Sequence, residues 1–131
     1  MTSEPSESQL PRNTEGKELP IITKVYDLIL WTVNHTAKFP HSHRFSLGLR
    51  IENMVYDILN LLIEAKFNRD KEQLLNDTNI KLEQLRFQVR MAKDFKVLSI
   101  KQYGFFCSQV TEIGNMLGGW RKSVRQSPTR R

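Results

Sequence analysis

The strongest constraint on the fold is the spacing of apolar residues near the C-terminus. Between residues 103 and 120 they recur at alternating steps of three and four, at Tyr103, Phe106, Val110, Ile113, Leu117 and Trp120. This spacing places one apolar stripe along an α-helix, because 3.6 residues complete each turn. Ser99 precedes the stripe and is predicted to cap the helix at its N-terminus.

Three earlier segments repeat the helical spacing, and no segment shows the period of two that is typical of β-strands. The first helix is expected over residues 20–39, since Pro40 disfavours helical geometry in the residue before it. The second runs from a predicted cap at Ser42 to about residue 67, and the third begins near residue 71. The predicted apolar rows are Ile21, Val25, Leu28, Ile29 and Thr32; Leu47, Ile51, Val55, Ile58, Leu59 and Leu62; and Leu74, Leu75, Thr78, Leu82, Leu85, Val89 and Ala92.

Four helices with short connectors predict an all-α fold, an antiparallel up-and-down four-helix bundle over residues 20–125. A local break is expected at residues 76–79, where short polar side chains compete for backbone groups. Residues 1–19 hold little to bury and are predicted to be a disordered acidic tail. The apolar row is predicted to end at Trp120, and residues 126–131 form a basic C-terminal tail.

The positive charge of the chain is unevenly distributed. The 131 residues carry a formal net charge of +6. Residues 1–19 contain four acids and two bases, so the remainder of the chain carries +8. Such an excess favours a polyanionic partner, with nucleic acid first and an anionic membrane surface second.

A basic row lies beside the apolar row of the third helix. Arg86, Arg90 and Lys93 repeat the spacing of one helix face, about 80° around the helix from the apolar row. We predict that they bind nucleic acid, provided that neighbouring carboxylates do not neutralise them and that no subunit contact buries them. The alternative is an ordinary solvated face. The other predicted nucleic-acid-binding residues are Arg44, Arg50, Arg121, Lys122 and Arg125.

Catalytic and metal-binding patterns are poorly represented. The chain has no Glu-x-x-His motif of the kind found in di-metal bundles, and its three histidines lack recognisable zinc-ligand spacing. Cys107 lies beside the apolar row and is interpreted as a small packed side chain. No glycine-rich loop follows a strand, as a phosphate-binding loop would require. We therefore expect a non-enzymatic protein without a cofactor or metal.

The remaining features concern packing and location. Gly114 and Gly118 share one helix face, which suggests that another backbone approaches there, and with Trp120 they are predicted to support helix or oligomer packing. The single cysteine fits a reducing compartment. No apolar run approaches the ~20 residues that span a bilayer, and the N-terminus lacks a secretory signal, so a cytoplasmic location is expected.

Three segments together resemble one family. They are FPHSHRFSLGLRI at residues 39–51, LEQLRFQVRMA at 82–92 and QVTEIGNMLGGW at 109–120. The pattern resembles the accessory variability determinant proteins of diversity-generating retroelements. It is similar, more distantly, to the four-helix-bundle proteins encoded in ribosomal RNA intervening sequences. By the resemblance, Arg86 and Arg90 correspond to the basic helix of the family, with Lys93 completing the row, and Gly119 and Trp120 correspond to its terminal Gly-Trp pair.

The resemblance implies a homopentameric barrel of bundles with a positively charged surface. It also implies association with the reverse transcriptase of the retroelement and with RNA or DNA, in support of the mutagenic copying of a template repeat. Two alternatives stay open: a protein of the intervening-sequence type, and a purely structural protein-interaction bundle. Salt-dependent binding of RNA separates charge-based recognition from the structural alternative.

Overall fold

The computed structural model describes residues 18–126, with side chains from Pro20 onwards, and this part of the chain is entirely helical between its turns. Its elements are helix α1 (Glu18–Thr36), the short helix α2 (His41–His43), a π-helical turn (Arg44–Gly48), and helices α3 (Leu49–Phe67), α4 (Glu72–Asp94) and α5 (Ile100–Gln126). The predicted all-α fold with four long helices is confirmed. None of these helices has a stretch long and apolar enough to cross a membrane.

The four long helices form a closed antiparallel bundle. Each packs against two others, in the order α1, α3, α4, α5 and back to α1. Between α4 and α5, Arg86 donates to Thr111 and Arg125 to Glu72, so residue numbers fall on one helix as they rise on the other. The pairs between α1 and α5 and between α3 and α4 follow the same opposite order. The short connectors between successive helices fit this arrangement.

The predicted apolar rows form the core. Each helix places its row on the inner face, and nearly all of its members are buried. Leu59, Leu74 and Tyr103 are only half-buried and lie at the rim of the core. Removing each large apolar side chain from water contributes about 1.5–3 kcal/mol, which makes this core the main source of stability.

The predicted break at residues 76–79 is wrong, because α4 continues without interruption. Thr78 is fully buried, and its hydroxyl donates to the Leu74 carbonyl at 2.8 Å. The Gln73 amide donates to Asp77 at 2.9 Å, one turn along the same helix. These side chains therefore bond to groups one turn away along α4, in a way that is compatible with an unbroken helix.

Two predictions about helix ends are corrected and one is confirmed. Ser42 does not cap a helix by its side chain; it lies inside α2. The apolar row does not end at Trp120, because α5 runs to Gln126 and Val124 is buried as well. Ser99 does cap α5: its hydroxyl accepts from the Gln102 N–H, and the Gln102 side chain accepts from the Ser99 N–H. This reciprocal pair satisfies two backbone donors at the helix start.

The predicted tails lie almost entirely outside the described residues. Of residues 1–19, only Glu18 and Leu19 are described, and their backbone belongs to α1. Of residues 126–131, only Gln126 is described, at the end of α5.

Candidate nucleic-acid interface

The row predicted on α4 is not a uniform basic ridge. Arg86 forms an ion pair with Glu83 at 3.3 Å, and Lys93 forms one with Asp94 at 3.3 Å. Arg90 is exposed and has no ion pair with any other described residue. Glu83 and Asp94 are both more than half exposed, and exposed pairs of this kind contribute only about 0–1 kcal/mol. The two carboxylates therefore reduce the positive charge of the basic row, but they do not hold Arg86 and Lys93 firmly in place.

Arg86 is also directed towards α5 rather than fully outward. One guanidinium nitrogen donates to Thr111 at 3.3 Å, and another lies 3.4 Å from where a Cβ on Gly114 would stand. Nothing lies within 4 Å of a Cβ placed on Gly118. Within the described part of the chain, therefore, Gly114 makes room for a side chain, and no backbone approaches either glycine. Trp120 is 3% exposed and packs in the core.

Lys93 connects α4 to α5 through an aromatic ring. Its ammonium lies 5.0 Å from the centre of the Tyr103 ring, a distance typical of a cation–π contact. A hydrogen bond with Cys107, together with burial, raises the pKa of Tyr103 above its ordinary value. A tyrosine hydroxyl is already protonated at neutral pH, and a raised pKa favours that form further, so Tyr103 adds no negative charge beside the cations.

The eight predicted nucleic-acid-binding residues lie in two separate groups. Arg44, Arg50, Arg90 and Lys93 lie near the end of the bundle formed by residues 36–52 and 90–103. Arg121, Lys122 and Arg125 lie in the last turns of α5, at the opposite end, and Arg86 lies between them. At about 1.5 Å per residue, the length of α5 separates the two ends by roughly 35 Å. A single contiguous patch does not hold all eight.

At the opposite end, the cations are largely held by neighbouring groups. Arg121 donates to Asn76 at 2.6 Å, and Arg125 forms an ion pair with Glu72 at 3.4 Å. The Lys71 ammonium donates to the carbonyl oxygens of Ala65, Lys66 and Asn68, where α3 ends and exposes its unpaired carbonyls. These contacts join helix ends to one another. Much of the positive charge at this end is therefore explained by its structural role.

We call the first group, with its neighbours, the basic end. Within residues 36–52 and 90–103 it contains seven lysines and arginines and only two carboxylates, Glu52 and Asp94. The Glu52 carboxylate accepts from the buried Thr36 hydroxyl, which ties α3 to the end of α1. The cations of the basic end are Lys38, Arg44, Arg50, Arg90, Lys93, Lys96 and Lys101.

The π-helical turn shapes the basic end. Phe39 is buried and lies over Gly48, where an added Cβ would stand 3.2 Å from the Phe39 ring and 3.3 Å from the His43 carbonyl oxygen. The wide turn places Arg44 and Phe45 on the outside, where the guanidinium lies 5.3 Å from the centre of the phenyl ring. Turns of this kind are frequent at functional sites.

Lys96 occupies a conformation that normally favours glycine. Its φ is 64°, the only positive φ among the described residues other than glycine. The N–H groups of Lys96 and Val97 donate to Lys93 and Ala92, both at 2.9 Å, which closes the end of α4. A side chain in this conformation costs about 1–2 kcal/mol relative to glycine. The strained position thus holds a cation at the basic end.

Aromatic rings lie among these cations. The rings of His43 and Phe95 are stacked, with centroids 5.1 Å apart and an interplanar angle of 21°. Phe95 is 52% exposed. No local spacing in the sequence indicates this pair, because the two residues are far apart along the chain. The only available signal was the aromatic and basic composition of FPHSHRF.

No group of three or more histidine, cysteine, aspartate or glutamate side chains is arranged to hold a metal ion within residues 18–126. Cys107 is half-buried beside Tyr103.

Comparison with known proteins gives one positive result. Residues 19–124 match the model of a family described as bAvd-like. The match includes the π-helical turn, the basic end and all four long helices apart from the first residue of α1 and the last two of α5. No significant similarity to a curated protein or to a solved structure was found.

Proposed function

The chain belongs to the bAvd-like family, and on this basis we propose that it is an accessory protein of a diversity-generating retroelement. In this role it binds RNA or DNA through a basic surface and associates with the reverse transcriptase that copies the template repeat. It acts without catalytic chemistry of its own. The family match supports the accessory role, and the distribution of charge supports the binding of nucleic acid.

The observation that carries the nucleic-acid proposal is the basic end. Arg50, Arg90, Lys96 and Lys101 are exposed there, and none has an ion pair with another described residue. Phosphates attract such cations without regard to sequence, and binding releases counterions, so affinity falls steeply as salt rises. Arg86 and Lys93 contribute less, because Glu83 and Asp94 compete with phosphate for them.

We also propose that the protein assembles with itself, as a homopentamer. Two different surfaces expose apolar side chains. On α1 and α3 these are Tyr26, Leu30, Tyr56 and Ile63, and on the outer face of α4 they are Ile80 and Phe87. Burying exposed apolar area is favourable, and contact between two unlike surfaces gives a closed ring when the rotation between subunits closes. Gly118 is exposed on α5, outside these two surfaces, and we propose that a neighbouring subunit packs against it as well.

The proposal is tested by titrating labelled RNA and DNA with two double variants. Arg44→Gln with Arg50→Gln removes two cations from the basic end, and Arg121→Gln with Arg125→Gln removes two from the opposite end. We expect the first variant to weaken binding and to reduce the salt slope by roughly two, since each phosphate contact contributes about one. The second variant loses less affinity, because neighbouring groups already hold its arginines.

Three results would contradict the proposal. If the affinity of the wild-type chain for RNA and DNA does not depend on salt, the protein is better explained as a structural bundle whose charged residues bind no polyanion. If the two double variants lose the same affinity for nucleic acid, the basic end has no special role in binding. Failure to co-elute with a coexpressed retroelement reverse transcriptase removes the accessory role and favours a protein of the intervening-sequence type. Light scattering tests the assembly, with an expected mass near five times the 15.4 kDa of the chain.

A further inference from the structure

A cleft of about 360 Å³ opens at the basic end, between the π-helical turn, the start of α3 and the end of α4. Its volume is near the lower end of the range of ~300–1,000 Å³ that small-ligand sites occupy. The side chains that line it combine one stacked aromatic pair, one guanidinium, two polar groups, one thioether and one leucine; they are His43, Phe95, Arg50, Ser46, Gln88, Met91 and Leu47. No carboxylate lines the cleft.

We propose that this cleft holds one unpaired base of a single-stranded nucleic acid. The base stacks on the His43–Phe95 pair, and Arg50 contacts a phosphate of the same strand. This inference rests on the proposed function and deepens it, because it names the form of nucleic acid that the basic end selects. Stacking accepts any base and either sugar, so single-stranded DNA and RNA are both ligands.

The aromatic pair is suited to stacking. His43 and Phe95 already stack with ring centroids 5.1 Å apart and an interplanar angle of 21°. Because Phe95 is 52% exposed, much of its ring is open to a further planar group. A base placed there extends an existing stack, and the two rings need little rearrangement. A base inside a duplex is covered on both faces by its neighbours and does not have a free face to offer.

The polar groups of the cleft fit a nucleotide better than a peptide. Arg50 is exposed, has no ion pair with another described residue, and presents the planar donor that suits phosphate. The side-chain oxygen of Gln88 is shielded from solvent and has no hydrogen-bond partner within the described chain. Rotation of this amide allows it to bond the polar edge of a base. A basic peptide finds no acidic partner in the cleft.

A substitution at Phe95 tests the proposal, with a matched control at Phe67. Both phenyl rings are exposed and both lie near cations, but Phe67 is at the opposite end, with the Lys66 ammonium 4.9 Å from its centre. Phe95→Leu keeps the apolar bulk and the charge while it removes the aromatic face. We expect affinity for a short single-stranded oligonucleotide to fall at least about fivefold. Phe67→Leu leaves it unchanged, and Phe95→Trp retains it.

The probe is an oligonucleotide that carries 2-aminopurine, prepared as single-stranded DNA, as single-stranded RNA and as a duplex. Stacking on an aromatic ring quenches the fluorescence of this base. We expect quenching of both single strands by the wild-type chain and weaker quenching by Phe95→Leu. The salt slope of Phe95→Leu stays that of the wild type, since no charge is removed. Circular dichroism and elution volume confirm that each variant folds and assembles normally.

Several outcomes would overturn the proposal. If Phe95→Leu binds single strands like the wild type while the wild type still binds in a salt-dependent manner, only the stacking cleft is wrong. If Phe95→Leu changes the elution volume, Phe95 belongs to a subunit contact. If Phe95→Leu loses the reverse transcriptase but keeps the oligonucleotide, the cleft docks a protein. If the wild-type chain binds no nucleic acid, the proposed function fails together with the cleft.

Discussion

The surroundings of a basic side chain decide how accessible its charge is, as the basic row of Arg86, Arg90 and Lys93 shows. The three share one spacing in the sequence, yet Glu83 pairs with Arg86, Asp94 pairs with Lys93, and Arg90 has no such partner. Their availability to a phosphate therefore differs. Lys96, which no helical spacing singles out, is exposed and held by a strained backbone. At the scale of the residue, accessible charge depends on local contacts more than on the periodicity of the sequence.

Replacing Lys96 by glycine is expected to raise stability and lower affinity together. Lys96→Gly relieves the unfavourable positive φ, so the free energy of unfolding should rise by about 1 kcal/mol in urea titrations followed by circular dichroism. Loss of the cation should weaken binding of RNA at low salt. Lys96→Met is the control, since it removes the charge and keeps the strain. If Lys96→Gly binds RNA more tightly than Lys96→Met does, flexibility rather than charge governs this position.

At the scale of the element, the π-helical turn connects sequence to site most directly. It follows α2 without a break and continues into α3, so that residues 41–67 form one helical run with a wide turn near its start. Close packing of Phe39 over Gly48 holds this turn against the core. His43 and Arg50, which lie before and after the turn, line the same cleft as a consequence.

The same glycine substitution should have opposite effects in the turn and in α5. Gly48→Ala places a methyl 3.2 Å from the buried Phe39 ring and 3.3 Å from a backbone oxygen, so we expect destabilisation of about 1–3 kcal/mol. Gly104→Ala meets nothing within 4 Å and should stabilise the helix by up to about 1 kcal/mol. Thermal unfolding of both variants provides the comparison. A Gly48→Ala variant as stable as Gly104→Ala would show that Phe39 moves freely.

At the scale of the whole molecule, the two ends of the bundle have different roles. The opposite end uses Lys71, Arg121 and Arg125 to join helix termini to one another. The basic end leaves most of its cations without carboxylate partners and adds exposed rings to them. Apolar side chains on the flanks of the bundle are available for contact between subunits, so that the proposed assembly and the proposed binding of nucleic acid use different surfaces.

A methyl group at Gly118 tests the proposed subunit contact. Within the chain it meets nothing within 4 Å, so it should not disturb the fold of a single subunit. If a neighbouring subunit packs closely on this face, Gly118→Ala should shift the assembly towards smaller species in size-exclusion chromatography with light scattering. Gly104→Ala, on the same helix, serves as the control. Unchanged assembly of the Gly118→Ala variant would place the subunit contact elsewhere.

The sequence by itself determined the helices, the rows that they bury and the charge excess. Apolar side chains at Phe106, Val110 and Ile113 can leave water together only on one face of a helix, so spacing alone indicates that face. The approximate extents of α3 and α4 and the cap at Ser99 follow equally from local rules. Such features depend on residues within one or two turns of each other, and for that reason they need no knowledge of the rest of the chain.

Only the tertiary structure decided which distant residues meet. Arg121 reaches Asn76 from α5, and the stacked His43–Phe95 pair joins residues that no local pattern relates. The division of the predicted cations between two ends likewise depends on how the helices turn back on themselves. Contacts of this kind arise from packing the whole bundle, and a one-dimensional spacing contains no information on them.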